Sequence, residues 1–246
     1  MDCTTKDASV ERLSLLDSLV GEWIKLPLAA VQDVGPAAQT LGGLLALTTK
    51  ETFAATSSIA QRARLPLPTV RKHLAILDGH GWIENKGRGS TRSGKPRRTT
   101  TITVTKQTRD AIQPYGVLPW WACCSVRRAG KLPWAARATL AVVMARLLTL
   151  KAAAERDGPD DDLEGLIENM DGAERFRFSL TELTQTTGLS RESVCAAKRR
   201  LARLGVFDLE AGDTSTATAD CLAPNWEFRV VVTPAPKGGC FLSFEH

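Results

Sequence analysis

The sequence predicts an α+β protein, mostly helical with small β-hairpins, built from two tandem units of one design. Three observations predict it. Two stretches, "SIAQRARLPLPTVRKHLAILDGHGWIE" and "ELTQTTGLSRESVCAAKRRLARLGVFDLE", match when shifted by 124 positions, with Ile59 on Leu183, Leu65 on Leu189, Val70 on Val194, Leu77 on Leu201 and Gly81 on Gly205. In both, apolar residues recur at steps of 3 and 4, the period of one helix face. After both comes a glycine, then a β-prone run, and later a second β-prone run.

Taken in order, the first unit begins with a short helix that Ser57 or Ser58 can cap and that runs to about Arg64. "RLPLP" breaks it. A second helix starts near Leu67, where Pro68 is tolerated because first-turn amides have no intrahelical partner. Val70, Leu74 and Leu77 form its inward stripe. In the second unit Ser190 is the N-cap of "RESVCAAKRRLARLG", with Val194, Ala197, Leu201 and Leu204 facing inward. Gly81 and Gly205 stand where a helix C-terminus favours positive φ. "WIENK" and "VFDLE" are the strands that follow. "RRTTTITVT" returns with Ile102 and Val104 on one face, and "WEFRVVV" is assigned the same part in the second unit.

A second, shorter similarity lies upstream, "WIKLPLAAV" beside "YGVLPWWAC", with Pro27 on Pro119. The two offsets differ, so the second copy carries extra residues, assigned to "VRRAGKLPW" and to the acidic stretch 157–174, which holds eight acids and no base. The predicted organisation is an N-terminal segment over 1–20, a first domain over 21–112 and a second over 113–246. "LPWAARATLAVVMARLLTLKAAAERDG" reads as a long helix started by Pro133, with Leu140, Val143, Met144 and Leu147 as an apolar stripe that faces the core or, as the alternative, a dimer partner. "LPWWACC" reads as packing.

Composition narrows the function classes. Hydrophobic content of 43% and charged content of 24% are ordinary for a globular protein. No apolar run approaches the roughly 20 residues of a membrane span, and the N-terminus lacks a basic n-region. Six cysteines at 3, 123, 124, 195, 221 and 240 form no CxxC pair and read as reduced thiols of a cytoplasmic protein. There is no GxGxxG or GxxxxGK[ST] loop, the three histidines have no metal-ligand spacing, and the single tyrosine, Tyr115, has no His cluster beside it. No enzyme, cofactor, metal site, membrane or small-molecule ligand is expected. Charge is uneven: residues 1–112 hold 16 Lys/Arg against 10 Asp/Glu, and residues 113–246 hold 16 against 17. The basic half is the candidate for an anionic partner.

Helix, turn, helix and hairpin is the winged-helix arrangement. "PTVRKHLAILDGHGWIENKGRG" resembles the recognition helix and wing of ArsR- and MarR-type winged helix-turn-helix regulators, through Thr69, Val70, His73-Leu74, Leu77 and Gly81-Trp82-Ile83. The metal-sensing cysteines of ArsR-type sensors are not matched. Two such units in one chain also resemble the tandem architecture of plasmid and phage replication initiators. The resemblance implies double-stranded DNA as partner, read in the major groove by the helix at about 67–79.

On that helix Leu67, Thr69, Arg71, Lys72 and Ala75 are expected to face outward. Arg71 suits a guanine edge, Lys72 a phosphate, and Thr69 a phosphate or a thymine methyl. His73 is expected to pack, and His80 to meet the helix dipole. The basic wing over 86–98 adds Lys86, Arg88, Arg92, Lys95, Arg97 and Arg98, suited to phosphates or the minor groove. The second wing, "EAGDTSTATADCLAPNW", has only acids and polar residues. In the second unit Arg191, Lys198 and Arg199 are the candidate DNA contacts. Lys198, Arg199, Arg200 and Arg203 lie in the later turns of that helix and could touch phosphate or instead pair with the acidic stretch 157–174. The expectation is a sequence-specific DNA-binding protein, a replication initiator or a transcription regulator. Further partners would be a second copy of the chain or replication proteins. The alternative is a winged-helix adaptor, with the second domain as a dimerisation or partner module.

Overall fold

The computed structural model describes residues 11–14, 22–48, 51–52, 55–86, 101–126, 130–157, 178–210, 221–225, 228–234 and 240–245. The first half runs β1 (Glu11–Ser14), β2 (Trp23–Pro27), α1 (Leu28–Val34), α2 (Ala37–Leu45), β3 (Glu51–Thr52), α3 (Thr56–Ala63), α4 (Leu67–Gly79), β4 (Ile83–Asn85), β5 (Ile102–Val104) and α5 (Lys106–Asp110). The second half runs β6 (Tyr115–Pro119), a 3-10 turn (Trp120–Cys123), β7 (Ser125–Val126), β8 (Gly130–Lys131), α6 (Trp134–Asp157), α7 (Leu180–Thr187), α8 (Arg191–Arg203), β9 (Phe207–Glu210), β10 (Cys221–Pro224), β11 (Arg229–Pro234) and β12 (Cys240–Glu245). The fold is α+β, as expected. Among the described residues no helix is long and apolar enough to cross a membrane.

The sequence repeat is a structural repeat. Helices α3 and α7 are both eight residues long, α4 and α8 both 13, and every boundary is displaced by 124 positions. The small sheets repeat too. In the first unit the order is β3-β5-β4. In the second, Phe178 bridges Leu222 of β10, and β10 pairs with β9. The return strand is therefore central both times, between the segment before the helix pair and the strand after it. Gly81 and Gly205 have φ of 75° and 71°, as the cap pattern requires.

The inward stripes hold each unit together. Val70, Leu74 and Leu77 of α4 are buried, and so are Val194, Ala197, Leu201 and Leu204 behind α8. Each of these valines and leucines contributes about 1.5–3 kcal/mol by leaving water. Ile102 and Val104 close the first core from the return strand. Leu140, Val143, Met144 and Leu147 of α6 are all buried, so that stripe faces the core.

Four expectations need correction. The helix α3 begins at Thr56 with Ala55 as an uncapped N-cap, so Ser57 and Ser58 fall inside its first turn. The return strand of the second unit is Cys221–Pro224, not "WEFRVVV". The latter enters a five-stranded sheet of order β1-β11-β12-β7-β8. A β-branched run states that it is a strand and leaves its partner open. That sheet ties the N-terminal strand to the C-terminal half through Glu11↔Val232 to Ser14↔Arg229. Cys124 is disulfide-bonded, against the expectation of six reduced thiols. It directly precedes β7, which the sheet draws in from elsewhere in the chain, a placement cysteine spacing cannot reveal. Cys123 and Cys195 are free. Lys198, expected on the outer face, is buried.

The lead-ins join the two units. Strands β2 and β6 pair antiparallel from Trp23↔Pro119 to Pro27↔Tyr115, with Lys25 opposite Val117. With Pro27 matched to Pro119, Lys25 corresponds to Val117, so equivalent residues face each other at the ladder's centre. That is a local two-fold relation. Helix α2 crosses β2 so closely that a β-carbon on Gly42 would stand 2.2 Å from the Lys25 carbonyl oxygen. Two polar links add to the join. Gln32 of α1 donates through Nε2 to the carbonyls of Gln185 (3.2 Å) and Thr186 (3.1 Å), covering acceptors the end of α7 leaves open. Buried Gln39 donates to the Ala63 carbonyl (2.7 Å) and toward Cys123 Sγ (3.2 Å), and accepts from Arg137 of α6. Burial pushes the Cys123 thiol up to about 11, so it stays neutral in this node.

Candidate nucleic-acid interface

The candidate reading helix α4 is built from its N-terminus. Pro66, extended at φ −60° and ψ 142°, is the N-cap, and a proline occupies the first turn. Neither requires an amide donor, so the helix starts without a side-chain cap. Its buried stripe fixes the rotation. Arg71, Lys72, Ala75 and Ile76 are consequently exposed, while Leu67 and Thr69 are half-buried. Ile76 keeps 42% exposure, an apolar addition to this face that sequence patterning missed. Among the described residues no ion pair engages Arg71 or Lys72, whereas Arg64, Lys86 and Arg146 each have a carboxylate partner.

Both histidines near α4 are structural. His73 Nδ1 lies 2.8 Å from Thr40 Oγ1. Burial, and then the Arg137 charge, hold its pKa below the ordinary imidazole value, so it packs as a neutral ring. His80 is the C-cap residue, with Nδ1 3.2 Å from Asp33 Oδ1. The other oxygen of Asp33 accepts from Trp82 Nε1 at 2.6 Å. One carboxylate on α1 thereby anchors the exit from α4 and the entry to β4.

The hairpin after α4 is anchored at its base. Ile83↔Val104, Glu84↔Thr103 and Asn85↔Ile102 pair, and the Lys86 amide donates to the Thr101 carbonyl at 3.0 Å. Thr105 caps α5 through the Thr108 amide and donates to the Gly81 carbonyl at 2.8 Å. Lys86 itself is exposed, with Nζ 3.8 Å from Glu84 Oε2. Arg88, Arg92, Lys95, Arg97 and Arg98 lie outside the described residues.

The second unit presents a different surface. Ser190 caps α8, its Oγ accepting from the Ser193 amide at 3.2 Å. Arg191 and Arg199 are exposed, as expected of an outer face, and so is Arg203. Lys198 is only 4% exposed and is corrected as a DNA contact. It follows Ala197 on the inward stripe, and its long aliphatic stem lets it lie along apolar neighbours. Arg200 is half-buried. The hairpin tip, 211–220, and the acidic stretch from 158 onward lie outside the described residues.

The turns between the paired helices differ at the matched position where the first helix ends. Helix α3 ends at Arg64 and α7 at Gly188, 124 positions apart, and both are left-handed, at φ 53° and 67°. Arg64 is the one non-glycine residue with positive φ among the described residues. That conformation costs a residue with a β-carbon roughly 1–2 kcal/mol. In return Arg64 Nη2 pairs with Glu22 Oε2 at 3.0 Å, and the guanidinium lies 5.7 Å from the Trp120 ring centre. With the partners 44% and 71% exposed, such a pair contributes about 0–1 kcal/mol and the ring contact about 0.5–1. Strain and contacts nearly cancel.

Comparison with protein-family models, with curated proteins and with solved structures finds no match.

Proposed function

We propose that the chain is a sequence-specific double-stranded DNA-binding protein made of two tandem winged-helix units, with the first unit as the main reader. The observation that carries this is the face of α4. Among the described residues no carboxylate pairs with exposed Arg71 or Lys72 on the second helix of the pair, and the next two strands, Ile83–Asn85 and Ile102–Val104, flank the basic run 86–98 in sequence. The strand order β3-β5-β4 supports the winged-helix reading of that hairpin. Arg71 reads a guanine edge, with Thr69 nearer the groove wall. Lys72 and the hairpin cations neutralise phosphates and release counterions.

The role is that of a replication initiator or a transcription regulator. The first should act on repeated sites in an origin and the second at an operator, which an origin-dependence assay separates. No catalytic role is proposed.

Selection of bound duplexes from a random pool tests the reading. Enriched sequences with affinity that falls steeply with salt are expected. If α8 also reads bases, the local two-fold between β2 and β6 predicts two half-sites in inverted orientation within one monomer's footprint. A pool that stays random, or salt-insensitive retention, overturns the reading. The second outcome favours the adaptor alternative, which the buried Lys198 and the base-free second hairpin support for the second unit.

A further inference from the structure

Arg64 occupies a place where glycine would serve the backbone, as Gly188 does in the second unit. Its backbone strain and its exposed contacts roughly offset each other, so stability gives no preference for arginine there. The side chain's position is what glycine cannot supply. Arg64 lines an open groove of about 480 Å³ together with Glu22, Trp23, Gln61, Arg62 and Trp120. Both units build this groove, since Trp120 belongs to the second lead-in, and its amide donates to the Glu22 carbonyl at 3.2 Å.

Only Leu65 and Pro66 separate Arg64 from the first residue of α4. Three residue steps span at most roughly 10 Å. A helix start that enters a major groove about 12 Å wide therefore brings Arg64 to the phosphates on the groove's rim. Arg62, exposed in the last turn of α3, is its neighbour.

We propose that Arg64, assisted by Arg62, is a phosphate clamp for the DNA backbone, and that Glu22 is an acidic placeholder displaced by the phosphate on binding. The proposal rests on the DNA-binding reading of α4. Glu22 holds the guanidinium in the left-handed turn through one oxygen and stays mostly in water, so its release costs little. A phosphate offers the planar guanidinium two parallel hydrogen bonds in place of one. Trp120 backs the guanidinium and keeps it aimed outward.

The test uses the full chain and a mixed-sequence duplex DNA, with affinity measured across a salt series and melting temperature recorded for each variant. Arg64→Gly should melt no lower than wild type, because the left-handed strain is relieved. It should still bind about three- to tenfold more weakly, with the slope of log affinity against log salt smaller by about 1. Glu22→Gln should bind about threefold more tightly, since the placeholder no longer competes. Wild-type affinity and slope in Arg64→Gly, or weaker binding by Glu22→Gln, overturn the clamp. Arg71→Ala separates the two levels. If it loses base preference while Arg64→Gly binds as wild type, the clamp is wrong and the DNA reading stands. If wild type itself shows no salt-dependent binding, both fall.

Discussion

The helix pairs α3–α4 and α7–α8 share every boundary and differ in how their outer charges are arranged. On α4 the exposed run is Arg71, Lys72, Ala75 and Ile76, followed by a hairpin with six basic residues. On α8 Arg191, Arg199 and Arg203 are spread over three turns, and the following hairpin has acids and no base. Even the starts differ: two prolines at α4, a serine cap at α8. The core positions, matched at 124, dictate where each helix lies. The outer faces carry no such constraint and have diverged. A shared scaffold therefore does not imply a shared task.

The largest expected effect tests whether the units are one folding body. Leu77→Ala and Leu201→Ala each empty an equivalent core position with no solvent exposure and should each cost about 2–5 kcal/mol. The β2–β6 ladder, Gln32 and the Gln39–Arg137 node join the units. Urea denaturation should therefore show one transition, shifted by a similar amount in both variants. Two resolved transitions, with each mutation moving only its own, would break the coupling.

On DNA the same comparison predicts asymmetry. Arg71→Ala should cost about 1–3 kcal/mol and relax base preference at one position, while Arg97→Ala should weaken all sequences alike. Arg199→Ala should do less than either. Titrating each variant against the selected duplex and its scrambled form decides this. An Arg199 effect equal to that of Arg71 would make the second unit an equal reader.

Next in size is the turn. Gly188→Ala places a β-carbon at φ 67° and 2.9 Å from the Gln32 side chain, so it should destabilise by about 1–2 kcal/mol. At the matched position Arg64→Gly should be neutral or stabilising. Opposite signs at one structural place, read by thermal melting, would sharpen the contrast. Equal signs would remove it.

These contrasts were unequally legible in the sequence. Helix bounds followed from the 3.6-residue period and the glycine caps, because local backbone physics sets both. The inward rotation of α4 was readable for the same reason, and with it the exposure of Arg71 and Lys72. What stayed hidden depends on distant parts of the chain. "WEFRVVV" has the composition of any strand, and only the fold pairs it with β1 and β12. Lys198 lies one step from Ala197, and charge alone argued for solvent. Arg64 in a left-handed turn runs against residue preference, so its own identity does not point to that conformation. The matched Gly188 was the available signal.

The smallest effect concerns pH and has no counterpart in the second unit, where Ala197 stands in place of His73. The folded pKa of His73 is lowered, first by burial and then by Arg137. The unfolded chain therefore binds this proton more readily, and stability tied to the neutral ring is complete above the unfolded value of about 6.5. It is lost as pH falls from there through the folded value. Wild-type melting temperature should decline over that window, and His73→Gln should flatten the decline. Since Thr40 Oγ1 is the ring's hydrogen-bond partner, glutamine is the substitution that keeps a polar contact. An unchanged pH profile in His73→Gln would mean that other groups govern the acid response. If it flattens, the titrating site lies in the first unit's core, at the join with α6.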